Sequence, residues 1–255
     1  NFYDKKIITC GIDPLIKKFK HKTKKINHYV PDFFSAKKIK KKIFNKKFKI
    51  ITALSVFYDL HKPNKFLSDV ESILDKNGIF LLEFADLASI IKFNMFDTLC
   101  HEHLEYYSLR VIDKMCKKNH LRLFDINSNN INGGSAQIFI CKNNASYKTN
   151  KKAINKFFKL EKKLKLDQKT TFVKFFNKIN KIKFNLFTFL SNKKKENKKI
   201  HCYGASTKGN VLLQYFKIDN KIIDYVAERN PQKYNLFTPG SKIKIISEKN
   251  SRKML

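Results

Sequence analysis

The run Phe48–Leu54 is apolar at most positions without alternation, the pattern of a parallel strand covered on both faces. Pro63 and Asn64 follow. Then Phe66, Leu67, Val70 and Leu74 recur at helical spacing and predict a helix over Lys65–Leu74. A turn at Asp75–Gly78 hands over to a second strand, Ile79–Phe84. A strand, helix and strand of these lengths favour a right-handed parallel crossover. Upstream, Lys6–Ile12 reads as a buried strand that ends at Asp13 and Pro14, with a helix through Ile16–Lys20. Tyr29–Phe34 reads as a short strand and turn, and Ser35 can cap a helix over Ala36–Phe44. Downstream, helices are expected over Leu87–Phe93 and Leu109–Asn119. Leu121–Ile126 and Ala136–Cys141 read as an antiparallel hairpin at the sheet edge, with Gly133 and Gly134 between them.

Lys148–Lys199 changes character. Its lysine-rich helical stretches carry an apolar stripe through Ile154, Phe157, Phe158, Leu160, Leu164, Phe172, Phe175 and Phe176. A helical connector is the plainer reading, ahead of a membrane or nucleic-acid helix. A second βαβ unit follows, with a strand at Ile200–Tyr203, a turn at Gly204–Gly209 and a helix at Val211–Phe216. Further strands are expected at Ile222–Ala227 and Ile243–Ile246. The fold class is α/β, a Rossmann-like domain over 1–147, a connector over 148–198 and a second, small doubly wound αβ domain over 199–255.

The charge changes the picture less than its size suggests. There are 54 basic and 21 acidic residues, for a formal net charge of +33. That invites a nucleic-acid reading. Only Arg110, Arg122, Arg229 and Arg252 are arginines, so the guanidinium fork that grips bases and phosphates is nearly absent. The excess of Lys, Asn, Ile and Phe fits compositional drift with a general attraction for phosphates. A basic nucleic-acid-binding module stays open as an alternative function, as does an inactive gene fragment. No apolar run approaches the ~20 residues of a bilayer span. Cys10, Cys100, Cys116, Cys141 and Cys202 form no CxxC pair, which suits a reducing compartment. A soluble, cytoplasmic protein with no membrane partner and no specific nucleic acid is expected.

Three places carry candidate chemistry. Asp13 follows a strand, where ligands of open α/β sheets bind, and could accept hydrogen bonds from both ribose hydroxyls. A simple helix-start Asp is the alternative. The segment Cys100–Tyr107 packs His101, Glu102, His103, Glu105, Tyr106 and Tyr107 together. Proton abstraction beside a carbonyl needs a base with a pKa near working pH, which histidine supplies. It also needs a donor for the developing enolate oxygen, so one His, one Glu and one Tyr could divide the work. A metal site or a solvated polar loop would use the same residues, but no third metal ligand is evident. Gly204–Gly209 lies between a strand and a helix. Ser206, Thr207 and Lys208 there could hold a diphosphate at the helix start, or the segment is only a tight turn.

The run from Phe96 through Cys100, His101, Glu102, His103 and Tyr107 to Leu109 resembles the three-domain C-methyltransferases that act on keto-deoxy-sugars carried by nucleoside diphosphates. Cys10–Pro14, Pro31–Ser35, Val56–Leu60 with Pro63, Asn132–Ser135, Gly204–Gly209, Ala227–Pro231 and Thr238–Gly240 also match in order and spacing. The resemblance implies an S-adenosylmethionine-dependent enzyme acting on a nucleotide-linked keto-sugar. In it Asp13 would bind the cofactor ribose, and Asp32 and Phe33 would lie by the adenine. Ser55, Val56 and Phe57 would border the methyl donor. His103 would be the general base and Glu102 would polarise the sugar, with His101 and Tyr106 beside them. Gly204, Ser206, Thr207, Lys208, Glu228, Arg229 and Asn230 would take the substrate.

The same resemblance implies an N-terminal zinc domain, and a first strand with a glycine-rich cofactor loop, outside this chain. No metal site is expected within it, and both ends read as cut. Cys100 stands where some members carry tyrosine, and Asp59 where some carry another histidine. With no glycine turn ahead of Asp13, residues 1–255 alone are expected to bind S-adenosylmethionine weakly. A calorimetric titration giving tight binding would overturn that expectation.

Overall fold

A computed structural model describes residues 7–18, 26–43 and 46–254. The chain divides into two compact units, Asn1–Asp86 with Leu104–Lys159, and Leu87–His103 with Leu160–Leu255. In chain order the elements are β1 (Cys10–Ile12), β2 (His28–Val30), α1 (Ala36–Ile43), β3 (Phe48–Leu54), α2 (Pro63–Ile73) and β4 (Leu74–Phe84). Then come α3 (Leu87–Phe93), α4 (Leu109–Lys118), β5 (Leu121–Asn129), β6 (Ser135–Lys142) and α5 (Lys151–Leu164). The long α6 (Lys169–Lys195) precedes β7 (His201–Tyr203), α7 (Thr207–Phe216), β8 (Tyr225–Glu228), β9 (Lys244–Ser247) and α8 (Glu248–Met254).

The first unit is Rossmann-like. Strands β3 and β4 pair in parallel through the α2 crossover, and β6 and β5 add antiparallel to give the order β3-β4-β6-β5. The expected hairpin is thus present, with β5 at the sheet edge. Strands β1 and β2 pair in parallel as a separate sheet. Pro63 opens α2, where its missing N–H has no intrahelical partner to lose. Leu67 and Val70 then turn one helix face onto the sheet core, which Phe57, Phe80, Leu82, Ile138 and Ile140 fill. On α1, Ala36, Ile39 and Ile43 fall on one stripe and meet Ile73, Cys10, Ile12 and Ile51. Ile154, Phe157 and Phe158 of α5 pack on the main core, so the start of the lysine-rich segment belongs to this unit.

Three expectations change. The β3 run is not covered on both faces: Ile50 is 55% and Leu54 52% exposed, and among the described residues β3 pairs only with β4. An apolar run reports the propensity to be buried, and an edge position overrides it. The turn at Asp75–Gly78 is a bulge within β4 rather than a break before it. Phe48 faces Leu74 and Ile50 faces Ile79, so the extra residues loop out, with the Asn77 amide donating to the Asp75 carboxylate at 3.0 Å. Of the expected helix over Ile16–Lys20, residues 16–18 form a short 3-10 turn. Phe19 and Lys20 lie outside the described residues, as do Lys6 of the first strand and Phe44 at the end of the helix read over Ala36–Phe44.

The second unit is a smaller αβ domain. Its strands are all parallel in the order β7-β8-β9, with α7 as the first crossover. Residues 87–103 group with it rather than with the strands that flank them in sequence. Among the described residues no helix is long and apolar enough to cross a membrane.

The bulge in β4 has a tight point. A Cβ on Gly78 would lie 2.7 Å from the Phe48 carbonyl oxygen and 2.8 Å from the Leu74 side chain. Gly78→Ala is expected to cost about 1–3 kcal/mol through this overpacking. Gly209→Ala, whose Cβ would meet its neighbours at 3.4 Å or more, is expected to cost less. Denaturant midpoints of the two variants check the difference.

Candidate functional site

The candidate cofactor residues follow the carboxyl ends of parallel strands in the first unit, where such sheets take ligands. Asp13 comes directly after β1 and is exposed. Its Oδ1 accepts from the Leu15 amide at 2.6 Å. Its backbone donates to the Val30 carbonyl at 3.1 Å, which fixes it beside the end of β2. Asp32 follows β2. Its Oδ1 accepts from the Phe33 amide at 2.7 Å and its Oδ2 pairs with Lys38 at 2.5 Å. The Lys38 ammonium and the Phe33 amide hold this carboxyl below the usual carboxylate range. Phe33 is 77% exposed, a flat aromatic face open to a stacking ring. Ser55 follows β3 in the left-handed region, φ 53°, and its amide donates to the Glu83 carbonyl at 2.8 Å. Val56 is exposed, whereas Phe57 is fully buried in the core, so only the backbone of Phe57 is available to a ligand.

These residues fit S-adenosylmethionine in kind. Asp13 has a carboxylate oxygen for ribose hydroxyls, and Phe33 offers a face for a purine.

Next to them lies a network that the sequence did not reveal. Glu83 is the next-to-last residue of the apolar β4, yet it is only 4% exposed. Its Oε2 accepts from Gln137 Nε2 at 2.6 Å and from Asn129 Nδ2 at 2.9 Å. Two amide donors satisfy a carboxylate that would otherwise be costly to bury. The alternation of β5 and β6 puts Asn129 and Gln137 on one face with it, and that pairing was the only signal that could have found it.

The segment Cys100–Tyr107 is divided between the units. Cys100, His101, Glu102 and His103 fold with the second, and Leu104 onward with the first. The His103 amide donates to the Cys100 carbonyl at 3.2 Å, closing a turn that exposes His101 and Glu102 and half-buries His103. The Glu102 carboxylate accepts from its own amide and from the Cys100 thiol, and both neighbouring imidazoles favour its charge. Together these hold its pKa below the ordinary value. Burial and Glu102 push the Cys100 thiol up, so it stays protonated and donates. Beyond the division, Leu104 and Glu105 donate to the Tyr58 carbonyl at 2.9 and 3.1 Å. Tyr106 is half-buried. Tyr107 packs on Phe57, with centroids 5.1 Å apart, and burial pushes its phenol up to about 12. Tyr107 is therefore a core residue.

All seven candidate substrate residues gather at the carboxyl ends of β7 and β8. Gly204 takes φ 93°, with nothing within 4 Å of an added Cβ, so backbone conformation rather than space calls for glycine. Ser206 caps α7: its Oγ accepts from the Gly209 amide at 3.1 Å. The helix therefore begins at Thr207, ahead of the Val211 start read from sequence, and its first amides have no intrahelical partner.

Glu228 fastens the loops on either side. Its Oε1 accepts from the Arg229 and Asn230 amides at 2.7 and 3.1 Å. Its Oε2 accepts from the Ala205 amide at 2.9 Å. Lys233 reaches the Ala205 carbonyl at 2.7 Å. The Asn230 and Ala205 amides, with Arg229 and Lys233, pull the Glu228 carboxyl to about 2. Arg229 pairs with Glu248 at 2.7 Å, and the Asn230 side chain caps the 3-10 turn Pro231–Lys233. Glu228 and Asn230 thus shape the turn, while Thr207 and Lys208 stand at its opening. Among the described residues no group of three or more His, Cys, Asp or Glu side chains could hold a metal ion.

Parallel strands whose carboxyl ends lead into polar turns define an α/β protein. Residues 130–254 match the model of the C-methyltransferase C-terminal domain. The chain is 25% identical over 189 residues to C-methyltransferase NovU of Streptomyces niveus, covering 74% of this chain and 44% of that protein. It thus spans less than half the length of that curated relative. Similar solved structures include a putative methyltransferase in complex with the Haloferax volcanii Trm112 methyltransferase activator, at TM-score 0.41 and 10% identity over 53% of this chain and 72% of that one. Another is a SAM-dependent methyltransferase of Thermotoga maritima, titled a possible histamine N-methyltransferase, at TM-score 0.40 and 11% identity over 53% and 73%. At those scores the likeness adds nothing to the strand order itself.

The Glu228 fastening carries a pH dependence. A carboxyl whose folded pKa lies below its unfolded value stabilises the fold above the unfolded value, and that stability is lost as pH falls through the folded one. With a shift from 4.5 to about 2, stability is expected to fall between those values. Glu228→Gln is expected to lower stability at neutral pH and to flatten this part of the profile, read as thermal midpoint against pH.

Proposed function

We propose that this chain is part of an enzyme with the chemistry of a C-methyltransferase, which moves a methyl group from S-adenosylmethionine to the carbon alpha to the ketone of a nucleotide-linked keto-sugar. What carries the reading is the company His103 keeps: a half-buried imidazole beside the ionised Glu102, in the same compact unit as the Gly204–Gly209 turn. The family-level relation to C-methyltransferases supports transfer to carbon. The sugar acceptor comes from the resemblance of the Cys100–Tyr107 segment.

The diphosphate lies against the first amides of α7 and Lys208. That anchors the ketone within reach of the turn 100–103. A His103 imidazole nitrogen takes the alpha proton, and the electron pair left behind delocalises onto the ketone oxygen. Glu102 orients the sugar and stabilises the imidazolium that forms, because its carboxylate stays charged. Tyr106 carries a phenol that could donate to the enolate oxygen, and His101 lies on the exposed side of the turn. Asp13, Asp32, Phe33, Ser55, Val56 and the Phe57 backbone hold the donor, which when bound supplies an electrophilic sulfonium methyl. Positioning is expected to supply much of the rate.

The proton step can be read without methyl transfer. In deuterated water, a nucleoside-diphosphate-linked keto-deoxy-sugar is expected to take up deuterium at the alpha carbon in the presence of this chain. His103→Ala is expected to slow that uptake about 100-fold or more, with the far-UV spectrum unchanged. Uptake by His103→Ala at the unsubstituted rate would remove His103 as the base.

A further inference from the structure

The acid–base turn is joined to the substrate turn by a short bridge within the second unit. Phe96 stacks on Phe216 at the end of α7, with centroids 5.1 Å apart and planes 19° from parallel. Tyr215 lies 6.1 Å from the same ring. Residues Phe96–Thr98 form a 3-10 turn in which the Thr98 amide donates to the Met95 carbonyl at 3.1 Å, with Met95 and Thr98 buried. This anchors one end of the segment that leads to His101, Glu102 and His103. Asp97 lies on that turn. Its Oδ2 is 3.9 Å from Lys208 Nζ, and the two side chains are 32% and 35% exposed. Lys208 is the second residue of α7, at the mouth of the Gly204–Gly209 turn.

A half-exposed ion pair at this distance is weak and readily exchanged. A diphosphate carries more charge than one carboxylate and offers several acceptor oxygens at once. It would also lie against the helix amides from which Lys208 projects, so the ammonium has a better partner when the turn is filled. We propose that Asp97 is a positioning residue: it parks the Lys208 ammonium at the empty turn and yields it to the substrate diphosphate, so that filling the turn frees the Asp97 end of the acid–base segment. The proposal rests on the reading of Gly204–Gly209 as the diphosphate site. Separating the pair opposes nucleotide binding, so removing Asp97 tightens it. By reciprocity, binding loosens the segment.

The test uses the whole chain with uridine diphosphate and thymidine diphosphate. Calorimetry compares the unsubstituted protein with Asp97→Asn, Asp97→Glu, Lys208→Gln and the Asp97→Asn/Lys208→Gln double variant. Asp97→Asn is expected to bind about threefold more tightly, Asp97→Glu like the unsubstituted protein, and Lys208→Gln about tenfold more weakly. The Asp97→Asn gain is expected to vanish in the Lys208→Gln background. A gain that persists there is long-range charge alone and overturns the handover. Amide hydrogen exchange over residues 97–103 is expected to rise with nucleotide in the unsubstituted protein. In Asp97→Asn it is expected to be already raised and unresponsive. A purely structural role would weaken binding on substitution, and that result, or unchanged affinity, overturns the proposal alone. Failure of the unsubstituted protein to bind either nucleotide overturns the diphosphate reading and this proposal with it.

Discussion

Phe96 against Phe216 is the contact on which the rest of the functional arrangement depends. The stacked pair pins a turn to the end of α7, and with it everything between Met95 and His103. Without such an anchor, a polar stretch rich in His and Glu has no apolar reason to stay in place. With it, the imidazoles become part of the unit that carries the glycine turn. The aromatic residue contributes no chemistry, yet it helps hold His103 with the second unit.

The same logic runs through both units. Apolar and backbone interactions fix the ends of parallel strands, and the candidate polar residues cluster at or just past those ends. In the first unit these are Asp13, Asp32 with Phe33, and Ser55. In the second they are Gly204–Lys208 and Glu228–Asn230. Glu228 shows how such an end is kept in shape. One carboxylate collects three backbone amides from two loops and removes three unsatisfied donors that would otherwise loosen the turn.

The sequence made the local grammar legible. The β3–α2–β4 crossover followed from an apolar run, a proline and a helical period. The hairpin followed from two strands around paired glycines. The Gly204–Gly209 turn followed from its place between a strand and a helix. What escaped was set by partners far away in sequence. The burial of Phe57 depends on Tyr107 and Phe66. The satisfaction of Glu83 depends on Asn129 and Gln137, 46 and 54 residues on. The grouping of residues 87–103 with the second unit depends on a ring more than a hundred residues downstream. Periodicity reports which face of an element is apolar, not which surface that face meets. For the same reason the three backbone amides that Glu228 accepts from could not be read from its residue type.

The open side of β3 bears on how the isolated chain behaves in solution. Lys49, Ile50, Thr52 and Leu54 are exposed along a strand whose second edge is unpaired among the described residues. Such an edge is a template on which another backbone can lie. A formal charge of +33 keeps copies of the chain apart when little salt is present. At an ionic strength of 1 M that repulsion reaches only about 3 Å. The charge on this molecule therefore works against pairing at that edge, and salt weakens the opposition.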